Sequence, residues 1–527
     1  MRTRTLVGPL SGIVALTLLA TLSLPGAAQA GDHGQLHESA AGKAALAHAE
    51  ALVSGDSTGD PSMALRDLAR TADGLTGADL SHARALLARP TDAPEASFDP
   101  VHYAADAVVQ DACGTYVCVH WVEDGSSDAT DPAFAHQTLQ ILESIDARYR
   151  AAGYRGPEPD QGQGGDSRTD IYLANLGAMG FYGYCATDLA ADGQPSYVAG
   201  SAVAPYCVFD NDFAEFDRPA EQSLEVTAAH EYFHAVQFGY DFNDDFWAYE
   251  TTATWIEDEM YDDINDNLQY LPYGQMGDPA ASVGLQSEGT LVPLDYVDFF
   301  GFPYPYGNWT FWRYLTEKYP ASQAGLPTLV RTFWQNLDTT GGAPDSYSLQ
   351  ALDQTLAARG TSTAAEYAGF STANRTPATS YSEGASYPTP ALAFGPVALS
   401  RTSPTASQTV TLDHLTSATG AFLPFSPSGN LKVRVDMAPA RTGAAAIVLV
   451  LGKDGSAQRV PVALNSSGTG QVQVPFGSAR VDHVEVTLVN GSSAMRDCYS
   501  DPLFQYSCGG FGVQDGRSAT VRVQAVG

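Results

Sequence analysis

"TAAHEYFHAVQ", residues 227–237, carries the pattern His-Glu-x-x-His, and the rest of the chain is read outward from it. On a helix, residues four apart share one face, about one turn apart. His230 and His234 therefore turn two imidazoles toward one point. Glu231 sits beside them, placed to act as a base on a metal-activated water. The flanks are apolar, "VTAA" before and "AVQFG" after, and Glu231 is the only formal charge among them. A helix that buries two imidazoles and a carboxylate must give them partners, because unpaired polar groups are costly to bury.

A catalytic zinc takes three protein ligands and leaves one position to water. Between residues 137 and 413 the only histidines are His230 and His234. The positions that hold Gly and His in the longer form of the pattern hold Gln237 and Tyr240. The third ligand is therefore expected to be a carboxylate. Glu250, in "FWAYETTATWIED" (246–258), is the candidate, with room before it for a turn and a returning helix. The bland alternative is a solvated carboxylate on a helix face, and the neighbours Trp247, Tyr249 and Trp255 argue against it.

"WAYETTATWIE" (247–257) resembles the third-ligand helix of gluzincin metallopeptidases such as the aminopeptidase-N-like enzymes. The match falls on Trp247, Glu250, Ala253, Trp255 and Glu257. It implies zinc held by His230, His234 and Glu250, with Glu257 holding one histidine ring. The gap from His234 to Glu250 is a few residues shorter than in those enzymes, a difference for the connecting loop to absorb. "FPYPYGNWTFWRYL" (302–315) resembles the segment in which a tyrosine opens a Gly-containing helix. That implies Tyr306 as the donor to a developing oxyanion, with Tyr304 as the alternate. The order of an HExxH helix, a Trp-x-x-Glu-x-x-Ala-Thr-Trp helix and a C-terminal β-domain also resembles a group of exported bacterial metalloproteases, over roughly residues 100–375. The resemblance implies a zincin-like domain and leaves its substrate open; the activity expected of it is that of an exported zinc metallopeptidase, an endopeptidase acting on a peptide or protein substrate. Glu231 would relay the proton and Tyr306 would steady the oxyanion. Two rivals stay open: a non-catalytic secreted binding protein with a structural zinc, and a zinc hydrolase acting on a non-peptide bond.

At 527 residues the chain is too long for one ordinary domain, and 44% hydrophobic residues suffice for packed cores. Residues 1–30, "MRTRTLVGPLSGIVALTLLATLSLPGAAQA", read as a signal peptide: Arg2 and Arg4, an apolar run, then Ala28-Gln29-Ala30. No later stretch is long and apolar enough to span a bilayer, so secretion without membrane insertion is expected. A formal net charge of −33 disfavours nucleic acid and anionic membranes as partners. The six cysteines form three local pairs, Cys113/Cys118, Cys185/Cys207 and Cys498/Cys508, whose spacings suit disulfides of an exported chain better than a thiolate metal site.

Residues 31–99 have helical spacing and read as a helical lead-in or a pro-segment. Residues 100–370 place strands first and helices later, which gives an α+β, zincin-like catalytic domain. Residues 371–404, rich in Ser, Thr and Pro, read as a linker. Residues 405–527 alternate in about seven short strands and predict an all-β sandwich, a candidate for binding a surface or polymer. "YGYCATD" (182–188) reads either as an edge strand open to substrate or as a hairpin pinned by Cys185/Cys207. The acidic run "DDINDN" (262–267) lacks the EF-hand pattern and reads as a solvated helix end.

Overall fold

Alternation and capping signals set the first elements. The computed structural model describes residues 33–92, 102–195, 198–199, 202–277, 290–297, 304–338, 345–501 and 504–527. The expected signal peptide lies outside the described residues. The chain opens with helices α1 (His33–Val53), α2 (Pro61–Thr71) and α3 (Gly77–Leu86). α2 starts sharply: Pro61 fits the first helical position, and the Asp60 carboxylate accepts from the Met63 N–H at 2.6 Å.

A five-stranded sheet follows. Its members are β1 (Val109–Cys113), β2 (Val117–Val122), β3 (Thr169–Ala174), β4 (Gly183–Ala186) and, after the short pair β5 (Val198–Ala199) and β6 (Ala202–Val203), β7 (Tyr206–Asp210). The order is β1-β2-β3-β7-β4. β2, β3 and β7 run parallel, while β4 lies antiparallel to β7 at the edge. The central strands are buried along their whole length, as continuous apolar runs such as "IYLA" require. Cys185 and Cys207 face each other across β4 and β7 and are bridged, as are Cys113/Cys118 and Cys498/Cys508.

Helix α4 (Pro132–Ala151) packs on the sheet, with Asp131 capping its start and Arg148 and Arg150 in its last turn. α5 (Ala220–Phe238) carries the opening motif and α6 (Phe246–Met260) packs against it. α5 is buried from Val226 to Phe238 and α6 from Trp247 to Asp258, so that the polar groups they carry, among them Glu231, Glu250 and Glu257, are buried with them. A 3-10 turn (Asp266–Tyr273) leads toward α7 (Tyr304–Gly307), α8 (Trp309–Lys318), the small pair β8 (Ser322–Gln323) and β9 (Leu326–Pro327), and helices α9 (Thr328–Leu337), α10 (Ser348–Ala357) and α11 (Thr363–Ala373). Trp247, Trp255, Trp309, Trp312 and Trp334 are all fully buried in this region. Burial on that scale stabilises by roughly 1.5–3 kcal/mol per large apolar side chain.

The stretch expected as a linker carries α12 (Pro377–Ser380) and β10 (Phe394–Ala398), and β10 pairs in parallel with β12 (Thr416–Leu423). The β-rich region continues with β11 (Thr405–Leu412), β13 (Asn430–Asp436), β14 (Ala444–Gly452), β15 (Ala457–Pro461), β16 (Thr469–Pro475), β17 (Val481–Asn490), the pair β18 (Met495–Arg496) and β19 (Phe511–Gly512), and β20 (Arg517–Val526). It forms a five-stranded sheet, β10-β12-β17-β14-β15, and a four-stranded sheet, β11-β20-β13-β16. Alternate residues of both sheets, among them Leu431, Val433, Val448, Val486 and Val521, share one apolar cluster. The structure is thus an α/β region followed by a β-rich region. Among the described residues no helix is long and apolar enough to cross a membrane.

The two regions are joined by buried polar contacts. The Trp247 indole N–H reaches the hydroxyls of Ser348 and Ser507 at 2.9 and 2.8 Å, and Asp245 accepts from the Cys508 N–H at 2.7 Å. Arg375 and Glu485 form a two-pronged pair, both bonds 2.8 Å.

Candidate metal centre

Helices α5 and α6 bring His230, His234 and Glu250 together. Their ligating atoms lie within 4.8 Å of one another. His230 Nε2 is 3.3 Å from one Glu250 oxygen, and His234 Nε2 is 3.3 Å from the other. The outer ring nitrogens are held in place. His230 Nδ1 meets Glu257 Oε1 at 2.5 Å, and His234 Nδ1 meets Gln237 Oε1 at 2.6 Å. Both Nε2 atoms therefore face Glu250, the ring orientation that metal-binding histidines take.

What these inner atoms lack is a hydrogen-bond partner. His234 Nε2 and both Glu250 oxygens are buried without one. Buried polar atoms are nearly always satisfied, so three orphans converging on one point call for an occupant. Two imidazoles and a carboxylate at this spacing fit a divalent cation, and the donor set suits zinc.

Electrostatics agree with that fit. Burial, helped by the charge of His230, pushes His234 down to about 3, so its ring is neutral. Against the burial that would lower it, Glu250 and Glu257 hold His230 well above the ordinary histidine value. Burial, with Asp60 and Glu250 nearby, raises Glu231 to about 8. Burial also raises Glu257 to about 7. A site this crowded with negative charge holds protons that a cation would displace.

Tyr306, on α7, stacks its ring over His230, with centroids 5.8 Å apart and planes 9° apart. Its hydroxyl donates to Asp60 Oδ2. Tyr304 gives its hydroxyl to the Val292 carbonyl at 2.9 Å, so the alternate is engaged away from the histidines. Two glycines set this arrangement. A Cβ on Gly307 would come within 2.2 Å of the Gly274 nitrogen, so only glycine lets α7 approach the 3-10 turn so closely. Glu231 points into the same cleft, a cavity of about 610 Å³ also lined by Asp60, Arg66, Tyr182 and Tyr306.

Three residues of the site carried no signal in sequence. Gln237 completes the hold on His234 and donates to the Tyr249 carbonyl and the Thr252 hydroxyl, at 3.1 and 3.0 Å. Asp60 and Ser62, from the start of α2, reach into the cleft. Ser62 Oγ donates to Glu231 Oε2 at 3.0 Å and accepts from the Cys185 N–H at 2.9 Å. β4 is thus a sheet edge and also half of a disulfide-bridged pair, and α2 covers its outer side. The run "DDINDN" gives part of its charge to pairing: Asp266 meets Arg218 at 2.9 Å.

No family model matches the chain, and no curated protein matches it. Among solved structures it is similar to a family GH115 4-O-methyl-α-glucuronidase with specificity for decorated arabinogalactans. The identity is 9%, the match covers 72% of this chain and 54% of that one, and the TM-score is 0.14. This chain spans about half the length of that protein. The expected peptide-bond hydrolysis finds no support in these comparisons and is withdrawn. The β4 edge expected to take a peptide gives its Cys185 N–H to Ser62. At that TM-score the likeness transfers neither fold nor sugar chemistry to this chain.

Proposed function

We propose that the cleft is a metal-dependent hydrolytic site of an exported protein, with a gluzincin-like set of metal-binding helices in a zincin-like α/β region, followed by a β-sandwich. His230, His234 and Glu250 would hold the ion, and zinc is the ion that this donor set favours. The observation that carries the reading is the convergence of His234 Nε2 and both Glu250 oxygens, buried and without hydrogen-bond partners. The three disulfides support an extracellular setting.

A divalent cation bound there would supply Lewis acidity to a water and to a substrate oxygen. The chain's own groups divide the remaining work. Glu231 stands in the cleft beside the ligands, placed to take a proton from water and hand it to a leaving group. Burial raises the Glu231 carboxyl to about 8, and a cation on the neighbouring ligands would favour its ionised form, the form that accepts a proton. Tyr306, its ring stacked over His230, would donate its hydroxyl to a developing oxyanion once Asp60 no longer holds it. Glu257 and Gln237 fix the two imidazoles, so that little reorganisation is needed during reaction.

The test is metal content. Purified wild type should bind one equivalent of zinc, and Glu250→Ala or His234→Ala should lose it. A wild type without stoichiometric metal, or a Glu250→Ala variant that keeps it, overturns the reading. Glu231→Gln should keep the metal and lose hydrolysis across a panel of chromogenic esters and glycosides. Hydrolysis undiminished in that variant would remove Glu231 from the mechanism.

A further inference from the structure

We propose that helices α1–α3 are an inhibitory segment that plugs the metal cleft through Asp60 and Ser62; the inference rests on the metal-dependent reading above. Beside the metal ligands, residues 60 and 62 touch three groups of the site: Tyr306, Glu231 and the backbone of β4. The Tyr306 hydroxyl donates to Asp60 Oδ2. Ser62 Oγ donates to Glu231 Oε2 at 3.0 Å. The outward N–H of β4, from Cys185, donates to the same Ser62 Oγ at 2.9 Å. The oxyanion donor, the base and the sheet edge are thus all engaged by one turn of one helix. Ser62 is fully buried.

The geometry of α2 makes these contacts firm. Asp60 Oδ1 caps the helix through the Met63 N–H at 2.6 Å, while Oδ2 takes the tyrosine. Pro61, between the two contact residues, fixes the backbone that aims both side chains. Two arginines latch the segment to the α/β region. Arg66 donates to the Asp244 carbonyl at 2.9 Å and lies over the Tyr249 ring. Arg89, just after α3, pairs with Asp160 at 2.6 Å and with Asp188 at 2.9 Å. A ligand entering the cleft must compete with Asp60 and Ser62 for the groups that would receive it.

The test uses the full chain loaded with Co2+ in place of zinc, and acetohydroxamic acid as the probe. The visible spectrum of the cobalt reports both occupancy and binding of the hydroxamate. Asp60→Asn/Ser62→Ala keeps a helix cap, since asparagine caps as well as aspartate, but removes the charge and the hydroxyl. The double variant should bind hydroxamate roughly tenfold tighter than wild type, with cobalt still at one equivalent, as expected when a competing charge-assisted hydrogen bond is lost. Ser62→Ala alone should give a smaller gain in the same direction, and serves if the double variant unfolds. Equal hydroxamate affinity in wild type and variants overturns the inhibitory segment while leaving the metal site standing. Failure of wild type and variants alike to bind cobalt overturns the underlying reading instead.

Discussion

His230 and His234 show how much of a candidate metal centre depends on residues outside its proposed ligand set. Each ring is pinned through Nδ1, one by Glu257 at 2.5 Å and the other by Gln237 at 2.6 Å. Such partners fix ring orientation and basicity, and losing one typically costs about 10–100-fold in metal affinity. Glu257→Ala should therefore weaken zinc binding by roughly that factor, read by competition with a chromophoric chelator. Gln237→Ala should act in the same direction, because the amide also anchors α6 through Tyr249 and Thr252. Unchanged affinity in both variants would mean that packing alone orients the rings. The ligands themselves were legible because one helical turn and the shortage of histidines leave few choices. Glu257 was legible through its resemblance to a known helix. Asp60 and Ser62 were not. They lie far from the motif in sequence, Ser62 being separated from Glu231 by 169 in residue number, and "GDPSMAL" reads only as a capped helix start.

At the level of elements, α7 has to lie against the 3-10 turn for Tyr306 to reach His230. Gly307 and Gly274 meet backbone to backbone, and a Cβ on Gly307 would fall 2.2 Å from the Gly274 nitrogen. Gly307→Ala must push the two elements apart, at a cost of about 1–3 kcal/mol for an overpacked contact. The unfolding midpoint should fall, and hydrolysis should fall with it as Tyr306 moves. Zinc should stay at one equivalent, because all three ligands stand on α5 and α6. Metal loss in this variant would show that α7 braces the ligand helices as well. Element type was readable where periodicity was strong, as in α4 and in strands such as β13 and β20. It failed at residues 371–404, whose Ser, Thr and Pro content reads as a linker. There β10 is made a strand by pairing with β12, a distant partner that its own composition does not announce.

Across the whole molecule, the β-rich region is locked to the α/β region by an ionic triad in which His414 and Asp295 are buried and Asp515 is partly exposed. His414 lies between Asp295, 3.0 Å from Nε2, and Asp515, 2.7 Å from Nδ1, and Asp295 also accepts from the Ser507 N–H at 3.0 Å. That same loop carries the Ser507 hydroxyl to Trp247 on α6, so the triad braces the helix that bears Glu250. Against the burial that would lower it, the two aspartates raise His414 to about 10, and His414 holds both aspartates below their ordinary value. The signs follow directly. A folded-state value raised from 6.5 to about 10 gives a contribution that is complete below the unfolded value. It declines as pH rises through that window and is gone above the folded value. The depressed aspartates contribute above their unfolded values and lose that contribution as pH falls through their folded ones. The triad should therefore stabilise by a few kcal/mol near about pH 6 and by much less near about pH 10. His414→Phe removes the cation and strands Asp295 in the interior, a change that costs about 3–5 kcal/mol when a buried pair is broken. In urea titrations the wild type should lose stability steadily between about pH 6.5 and pH 10, and His414→Phe should start lower and show a flatter slope across that window. A variant that matched the wild-type slope would place the pH dependence elsewhere in the molecule and leave the triad as a packing contact between the two regions.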